Sequence, residues 1–97
     1  MKRDDVIRML QAHRRELAER FGVQSLALFG SVAREEATAA SDVDLLVEFN
    51  RPVGFLGLFE LQDHLEKLLG CRVDLGTASS LKPRIREKVL AESVQVA

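Results

Sequence analysis

One stretch, from Leu28 to Leu46, constrains the fold more than any other, because it holds two apolar runs separated by turn-forming and acidic residues. The first run stops at Gly30-Ser31, ten residues follow, and Asp42-Val43-Asp44 opens the second run. A short apolar run that stops at glycine is typical of a buried strand followed by a turn. The stretch therefore predicts two strands, with a glycine-serine turn after the first and paired carboxylates at the start of the second.

The second run, residues 43–49, alternates in a way that separates a core face from a polar face. Residues two apart on a strand point the same way and lie about 7 Å apart at the backbone. The side chains that share the core face are Val43, Leu45, Val47 and Phe49, and those on the other face are Asp42, Asp44 and Glu48. Asp42 and Asp44 are therefore expected to project together from the polar face.

The remaining periodicity predicts an α/β fold in a single domain over residues 1–97. Strands are expected at 25–29, 43–49 and 71–75, and Asp74 falls on the polar face of the third. If that strand packs beside the second, Asp74 joins the other two carboxylates. Helices are expected over 3–21, after Ser31, from Phe55 to a stop at Gly70, and over 82–92 with Leu81, Ile85 and Val89 as its apolar stripe.

Composition narrows the classes of function. The net charge is −1 and the pI about 6.1, which argues against a long nucleic-acid substrate. No run approaches the 18 or so apolar residues of a membrane span, and the charged N-terminus does not resemble a signal peptide. Cys71 is the only cysteine, so no intramolecular disulfide can form. We therefore expect a cytoplasmic protein with no membrane partner.

The residue types at these positions favour nucleotide chemistry. Gly30 permits close backbone approach, a strand-to-helix turn presents N–H groups to an anion, and Ser31 adds a hydroxyl donor. Paired carboxylates such as Asp42 and Asp44 can hold two Mg²⁺ ions about 3.5–4 Å apart. Asp74 would supply a third carboxylate and take the proton of an attacking hydroxyl. Together these groups predict in-line nucleotidyl transfer.

The motifs GSVAR, SDVDLLVEF and VDL, with Gly30-Ser31, Asp42-x-Asp44 and the later Asp74, resemble the minimal nucleotidyltransferases of the DNA polymerase β superfamily. The resemblance covers nearly the whole chain. It implies a small mixed sheet of three or more strands flanked by about four helices, two Mg²⁺ ions, and ATP as substrate. It also implies an antitoxin that transfers AMP to a tyrosine hydroxyl of its partner, a HEPN-domain RNase toxin.

By matching position, the resemblance implies a role for each motif residue. Gly30 and Ser31 would bind phosphate, and Arg34 of the GSVAR stretch would contact the nucleotide. Asp42 and Asp44 would be metal ligands and catalytic residues, with Asp74 as the third ligand and the base. The chain departs from the family pattern at Glu35, where related proteins often have glycine.

Three other functions are compatible with the same residues. The first is nucleotidyl transfer to a small hydroxylated molecule such as an aminoglycoside, although such relatives generally carry an extra helical domain for the acceptor. The second is a binding-only antitoxin with a weak or inactive nucleotide site, which Glu35 motivates. The third is a small α/β domain whose aspartates are only surface residues, which the agreement of three acidic positions in face, order and spacing disfavours.

Overall fold

A mixed four-stranded sheet lies at the centre of the computed structural model, which describes residues 2–38 and 40–96. The strands are β1 (Val23–Phe29), β2 (Val43–Phe49), β3 (Val73–Thr77) and β4 (Val94–Gln95). Their order across the sheet is β3-β2-β1-β4. β2 runs parallel to β3, whereas β1 is antiparallel to both β2 and β4. The predicted fold class, α/β with a small mixed sheet, is confirmed.

Five α-helices accompany the sheet in the described part of the chain. They are α1 (Arg3–Ala12), α2 (Arg14–Phe21), α3 (Gly30–Ala33), α4 (Phe55–Leu69) and α5 (Pro83–Glu92), with a short 3₁₀ turn at Ala78–Ser80. The longest of them, α4, has 15 residues. None of these helices has both the length and the apolar character that crossing a bilayer requires.

The prediction of one continuous helix over residues 3–21 is wrong, because the helix is interrupted at His13. The backbone there has φ −107° and ψ 12°, outside the helical range. The His13 ring Nδ1 lies 2.8 Å from the Met9 carbonyl oxygen, a hydrogen bond that occupies a carbonyl of the last turn of α1. Leu10 and Leu17 are both fully buried on either side of the break. The apolar spacing therefore continues across an interruption that periodicity alone does not reveal.

The strand boundaries also differ from the predicted ones. β1 begins two residues earlier than expected, because Val23 pairs with Phe49 across an irregularity in register. β3 is shifted by two residues toward the C-terminus, and β4 was not predicted at all. A two-residue edge strand has too short a pattern to recognise, and β4 is held mainly by pairing with β1 and by burial of the adjacent Val96.

The core lies between one face of the sheet and the helices α1, α2 and α4. Val43, Leu45 and Val47 of β2 are buried in it, as the alternation predicts. The helices contribute side chains at helical spacing, namely Val6, Leu10, Leu17, Leu61, Leu65 and Leu69. Cys71 packs against the edge of this core and is partly buried. Because one face is filled by apolar side chains, the carboxylates of β2 project from the opposite face of the sheet.

The turn after α3 contains the residue at which the chain departs from the family pattern. Glu35 has φ 59°, and it is the only residue with positive φ among the non-glycine residues that the structure describes. Its side chain is 67% exposed, and Oε1 lies 4.0 Å from Nη1 of Arg3 on α1. The left-handed backbone is thus retained without glycine, and the glutamate charge points toward a cation on α1.

We expect Glu35→Gly to be more stable than Glu35→Ala by about 0.5–1 kcal/mol. Both substitutions remove the weak ion pair with Arg3. Only glycine relieves the left-handed backbone, which costs other residues about 1–2 kcal/mol. Part of that gain is offset because glycine has more conformational freedom in the unfolded chain. Urea unfolding of the two variants measures the difference. An alanine variant as stable as the glycine variant would show that this turn carries no backbone strain.

Candidate active site

Two of the three predicted carboxylates lie directly opposite each other in the sheet. Asp44 of β2 is paired in register with Asp74 of β3. Neighbouring strands are about 4.8 Å apart, and paired residues point to the same side of the sheet. Asp42 precedes β2 by one residue and is exposed. The structure therefore brings the three acids to one end and one face of the β2–β3 pair.

The environment of Asp44 disfavours its charged form. Partial burial raises the pKa of the Asp44 carboxyl, the negative charges of Asp74 and Asp42 raise it further, and the positive charge of Arg34 opposes them. Among the ion pairs formed by the described residues, none involves Asp42, Asp44 or Asp74. This end of the sheet is therefore a site of crowded negative charge that Arg34 offsets only in part.

The glycine turn is packed directly onto this carboxylate. Gly30 follows β1 with φ 74°, and Phe29 immediately before it pairs with Asp44. A Cβ atom at position 30 would lie only 2.9 Å from Cγ of Asp44 and would collide with its Oδ2. Position 30 thus requires glycine for two independent reasons, a left-handed backbone and contact with a carboxylate.

Ser31 lies at the second position of α3 and is partly exposed. Its hydroxyl has no hydrogen-bond partner in the described part of the chain, so it is available as a donor beside the acids. The first N–H groups of a helix lack intrahelical acceptors. The turn that the sequence predicts to hold phosphate therefore combines a close backbone approach with an uncommitted hydroxyl.

Arg34 lies at the edge of the site, but carboxylates already bind its guanidinium. Nε donates to Glu36 Oε2 at 3.0 Å and Nη1 donates to Glu92 Oε2 at 3.4 Å. The hydrogen bond to Glu36 and the charges of both glutamates raise the pKa of Arg34, although desolvation acts in the opposite direction. Sequence reasoning missed Glu92, which is 58 residues from Arg34 and belongs to α5, so no local pattern reveals this contact.

Mg²⁺ is the ion that the resemblance implies for these acids. Within residues 2–38 and 40–96, no group of three or more His, Cys, Asp or Glu side chains is arranged to hold a metal ion by itself. Mg²⁺ is commonly bound by one or two carboxylates, with substrate phosphates and water completing its shell. The paired Asp44 and Asp74 fit that mode of binding, because a cation would relieve their mutual repulsion. A site made complete by the nucleotide fits these residues better than a preformed three-carboxylate cage.

Comparison with known proteins identifies the family. The family described as nucleotidyltransferase domain matches residues 10–96. The chain belongs to the nucleotidyltransferase family. Protein adenylyltransferase MntA of Thermococcus cleftensis is 48% identical over 93 residues, which are 96% of this chain and 94% of that protein. This confirms the resemblance to the minimal nucleotidyltransferases and shows that the chain is an enzyme of the nucleotidyltransferase class.

Solved structures of this nucleotidyltransferase's relatives show the same fold. One described as a candidate minimal nucleotidyltransferase is 40% identical, matches over 97% of this chain and 95% of that chain, and has a TM-score of 0.81. Another comes from the complex of a tri-AMPylated Shewanella oneidensis HEPN toxin with MNT antitoxin. The match covers 94% of this chain and 71% of that chain, with 20% identity and a TM-score of 0.67. At that identity the second likeness supports the fold alone.

We expect Asp44→Asn to raise the melting temperature at pH 7 by roughly 2–4 °C. The pKa of Asp44 is raised in the folded state, so folding favours the protonated carboxyl. The resulting contribution to stability is complete below the unfolded pKa, and it is lost as pH rises through the folded pKa. At neutral pH the carboxylate is therefore destabilising, and its removal stabilises the fold. The gain should shrink as pH falls toward the unfolded value of 3.8.

Thermal unfolding followed by circular dichroism at pH 7 and pH 4 measures this effect. Glu48→Gln is the matched control, because Glu48 lies on the same strand and is exposed. A lower melting temperature for Asp44→Asn at pH 7 would mean that the folded state stabilises the Asp44 carboxylate.

We expect Gly30→Ala to lower nucleotidyl transfer by about 100-fold, because the added methyl displaces the Asp44 carboxylate and small misplacements of reacting groups cost that much. Gly70→Ala is the matched control. Gly70 also has a left-handed backbone, with φ 70°, but a Cβ there would meet no atom within 4 Å. Gly70→Ala should lose about 1 kcal/mol of stability through its backbone alone, and Gly30→Ala should lose at least as much, whereas activity should fall only in Gly30→Ala. Equal activity of the two variants would contradict a role for this contact.

Proposed function

We propose that this chain transfers AMP from ATP, with Mg²⁺, to a tyrosine hydroxyl of a HEPN-type RNase toxin and thereby acts as an antitoxin. The observation that carries the proposal is the register of Asp44 with Asp74, next to a glycine turn packed against Asp44. The name of the 48% identical relative, a protein adenylyltransferase, supports AMP transfer to a protein. The complex of an AMPylated HEPN toxin with an MNT antitoxin supports this class of partner.

The proposed roles follow from the position of each side chain. The backbone at Gly30 and the hydroxyl of Ser31 hold the triphosphate. Asp42 and Asp44 would hold Mg²⁺ together with the phosphates, and Asp74 would be a further ligand. When bound, Mg²⁺ supplies charge neutralisation and Lewis-acid polarisation of the phosphates.

The proposed reaction is a single in-line displacement. The acceptor oxygen forms a bond to the α-phosphorus of ATP, the bond from that phosphorus to the bridging oxygen breaks, and pyrophosphate leaves. The proton of the acceptor hydroxyl passes to the Asp74 carboxylate. Most of the rate enhancement comes from positioning and from neutralising negative charge, because these side chains make no covalent bond to the substrate.

Arg34 takes part in nucleotide binding by exchanging partners. In the structure its guanidinium is bound by Glu36 and Glu92, both on the exposed surface. Exposed ion pairs are weak because water screens them, so a multiply charged triphosphate competes well for the same guanidinium. We expect Arg34 to leave at least one glutamate when ATP binds.

Two of the alternative functions receive less support. A small hydroxylated acceptor needs a pocket, and relatives that modify such molecules generally use an extra helical domain to form it. A binding-only antitoxin was motivated by Glu35, but that side chain is 67% exposed and paired with Arg3. Its charge is therefore not directed at the carboxylates, and the remaining site residues are all present.

The direct test is incubation with α-³²P-labelled ATP, Mg²⁺ and the product of the neighbouring gene. We expect label on that partner, at a tyrosine identified by mass spectrometry. Asp42→Asn combined with Asp44→Asn should reduce labelling by at least about 1,000-fold, because it removes the charges that hold the metal and the phosphates. Glu48→Gln is the control that should label normally.

Two outcomes would contradict the proposal in different ways. No label on the partner would remove the protein acceptor. A double variant that neutralises the toxin in cells as well as the parent does would show that binding is sufficient and that transfer is unnecessary.

A further inference from the structure

Helix α5, residues Pro83–Glu92, is unusual because none of its ten residues is buried. The predicted apolar stripe is only half covered: Leu81 and Val89 are partly buried, whereas Ile85 is 51% exposed. Leu90 is exposed as well, at 43%. Isolated helices of this length are marginal in water, and helices in proteins are stabilised mainly by burying an apolar face. Much of the surface that would stabilise α5 is therefore uncovered.

The cations on and just before α5 repel one another, although Glu87 and Glu92 also lie on this helix. Lys82 and Arg86 are four residues apart, as are Arg84 and Lys88, and like charges at this spacing repel on a helix. Among the ion pairs of the described residues, none involves these four cations. By contrast, most basic side chains on α1, α2 and α4 pair with a carboxylate. A helix with repelling, unpaired cations beside exposed apolar residues is more favourable when an acidic partner covers it.

The exposed cations and the partly covered apolar side chains form adjacent strips. Arg84 and Lys88 follow one line along the helix, and Ile85 and Val89 follow the neighbouring line, because residues four apart share a face. An apolar strip bordered by charges matches the arrangement of protein interfaces, in which an apolar centre has a polar rim. A nucleic-acid backbone would use the cations but would leave Ile85, which is 51% exposed, in water, so the composition favours a protein.

The helix is also attached to the candidate active site. It packs against α3 and β1, the two elements that meet at Gly30. Glu92, its last residue, binds Arg34 at 3.4 Å. β4 follows directly and pairs with β1, so the C-terminal end of α5 is held against the sheet. A protein seated on α5 would therefore lie beside the carboxylates that carry out the proposed transfer.

We infer that the exposed face of α5 is the docking surface for the acceptor protein, which meets it with an acidic rim around an apolar groove. This inference rests on the proposed function for the identity of the acceptor. The basic strip attracts the partner and sets its orientation, while Ile85 enters the groove. Docking on α5 places the acceptor hydroxyl at the open side of the site, which no second domain of the described chain covers.

The test compares Arg84→Glu combined with Lys88→Glu against a matched charge reversal elsewhere. The control is Arg14→Glu combined with Arg15→Glu on α2, which changes the net charge equally but lies on the core-side helices, where Leu17 packs. The probe is the neighbouring gene product, with its dissociation constant measured by calorimetry at low and high salt. We expect the α5 variant to bind at least about tenfold more weakly and with less salt dependence, and the α2 control to bind like the parent.

Two further measurements keep the result interpretable. Circular dichroism checks that the α5 variant is folded, and Ile85→Ala, which changes no charge, should by itself weaken binding several-fold. In the labelling assay the KM for the partner should rise while the KM for ATP is unchanged. If the parent binds the partner without labelling it, the proposed transfer fails but the docking surface is still tested by the dissociation constants.

Several results would overturn the inference. One is equal partner binding by the parent and the folded α5 variant, and another is failure of the parent to bind the partner at all. A third is loss of binding to a fluorescein-labelled 20-nucleotide RNA with partner binding intact, which would assign α5 to nucleic acid. A fourth is a parent dimer in solution that the α5 variant abolishes with partner binding intact, which would assign the surface to a second copy of this chain.

Discussion

The contact between the glycine turn and the Asp44 carboxylate is the constraint on which the rest of the site depends. Gly30 can approach Asp44 only because it has no side chain and can adopt a left-handed backbone. That approach places the start of α3 at the end of the sheet where Asp44 and Asp74 are paired. Groups suited to an anion and groups suited to a cation are thereby brought to one point. A triphosphate with its metal needs both kinds of group at this separation.

This arrangement is costly for the folded protein. Three carboxylates with no ion-pair partner among the described residues repel one another, and the raised pKa of Asp44 reports that repulsion together with burial. The opposite face of the sheet offsets the cost, because it packs against fully buried leucines of three helices. Strain and charge at a functional site persist when the surrounding structure holds them in place. In this fold a well-packed core on one face permits an unfavourable cluster on the other.

The sequence was sufficient to predict the parts of the site that depend on alternation. A shift of one residue in β2 would bury a carboxylate, so the face of Asp44 could be predicted with no knowledge of the fold. Asp74 could be placed only conditionally, because its face follows from alternation but its parallel pairing with β2 depends on the crossover through α4. The contact of Glu92 with Arg34 joins residues 58 apart and has no local signature. The break at His13 was hidden because the apolar spacing continues across it.

The exposure of the acids raises the question of how such an enzyme would avoid hydrolysing ATP without transferring AMP. Asp42 and Asp74 are exposed, so water has access to the point at which the α-phosphate would be attacked. Enzymes that transfer groups from reactive phosphates exclude water by closing a lid or a domain over the site. The described chain has no element in that position, and the closest candidate surface, α5, is itself uncovered. Under the proposed function the acceptor protein therefore serves both as the nucleophile and as the cover that excludes water. Transfer would then be coupled to docking, because the site becomes dry and complete only when the correct partner occupies it.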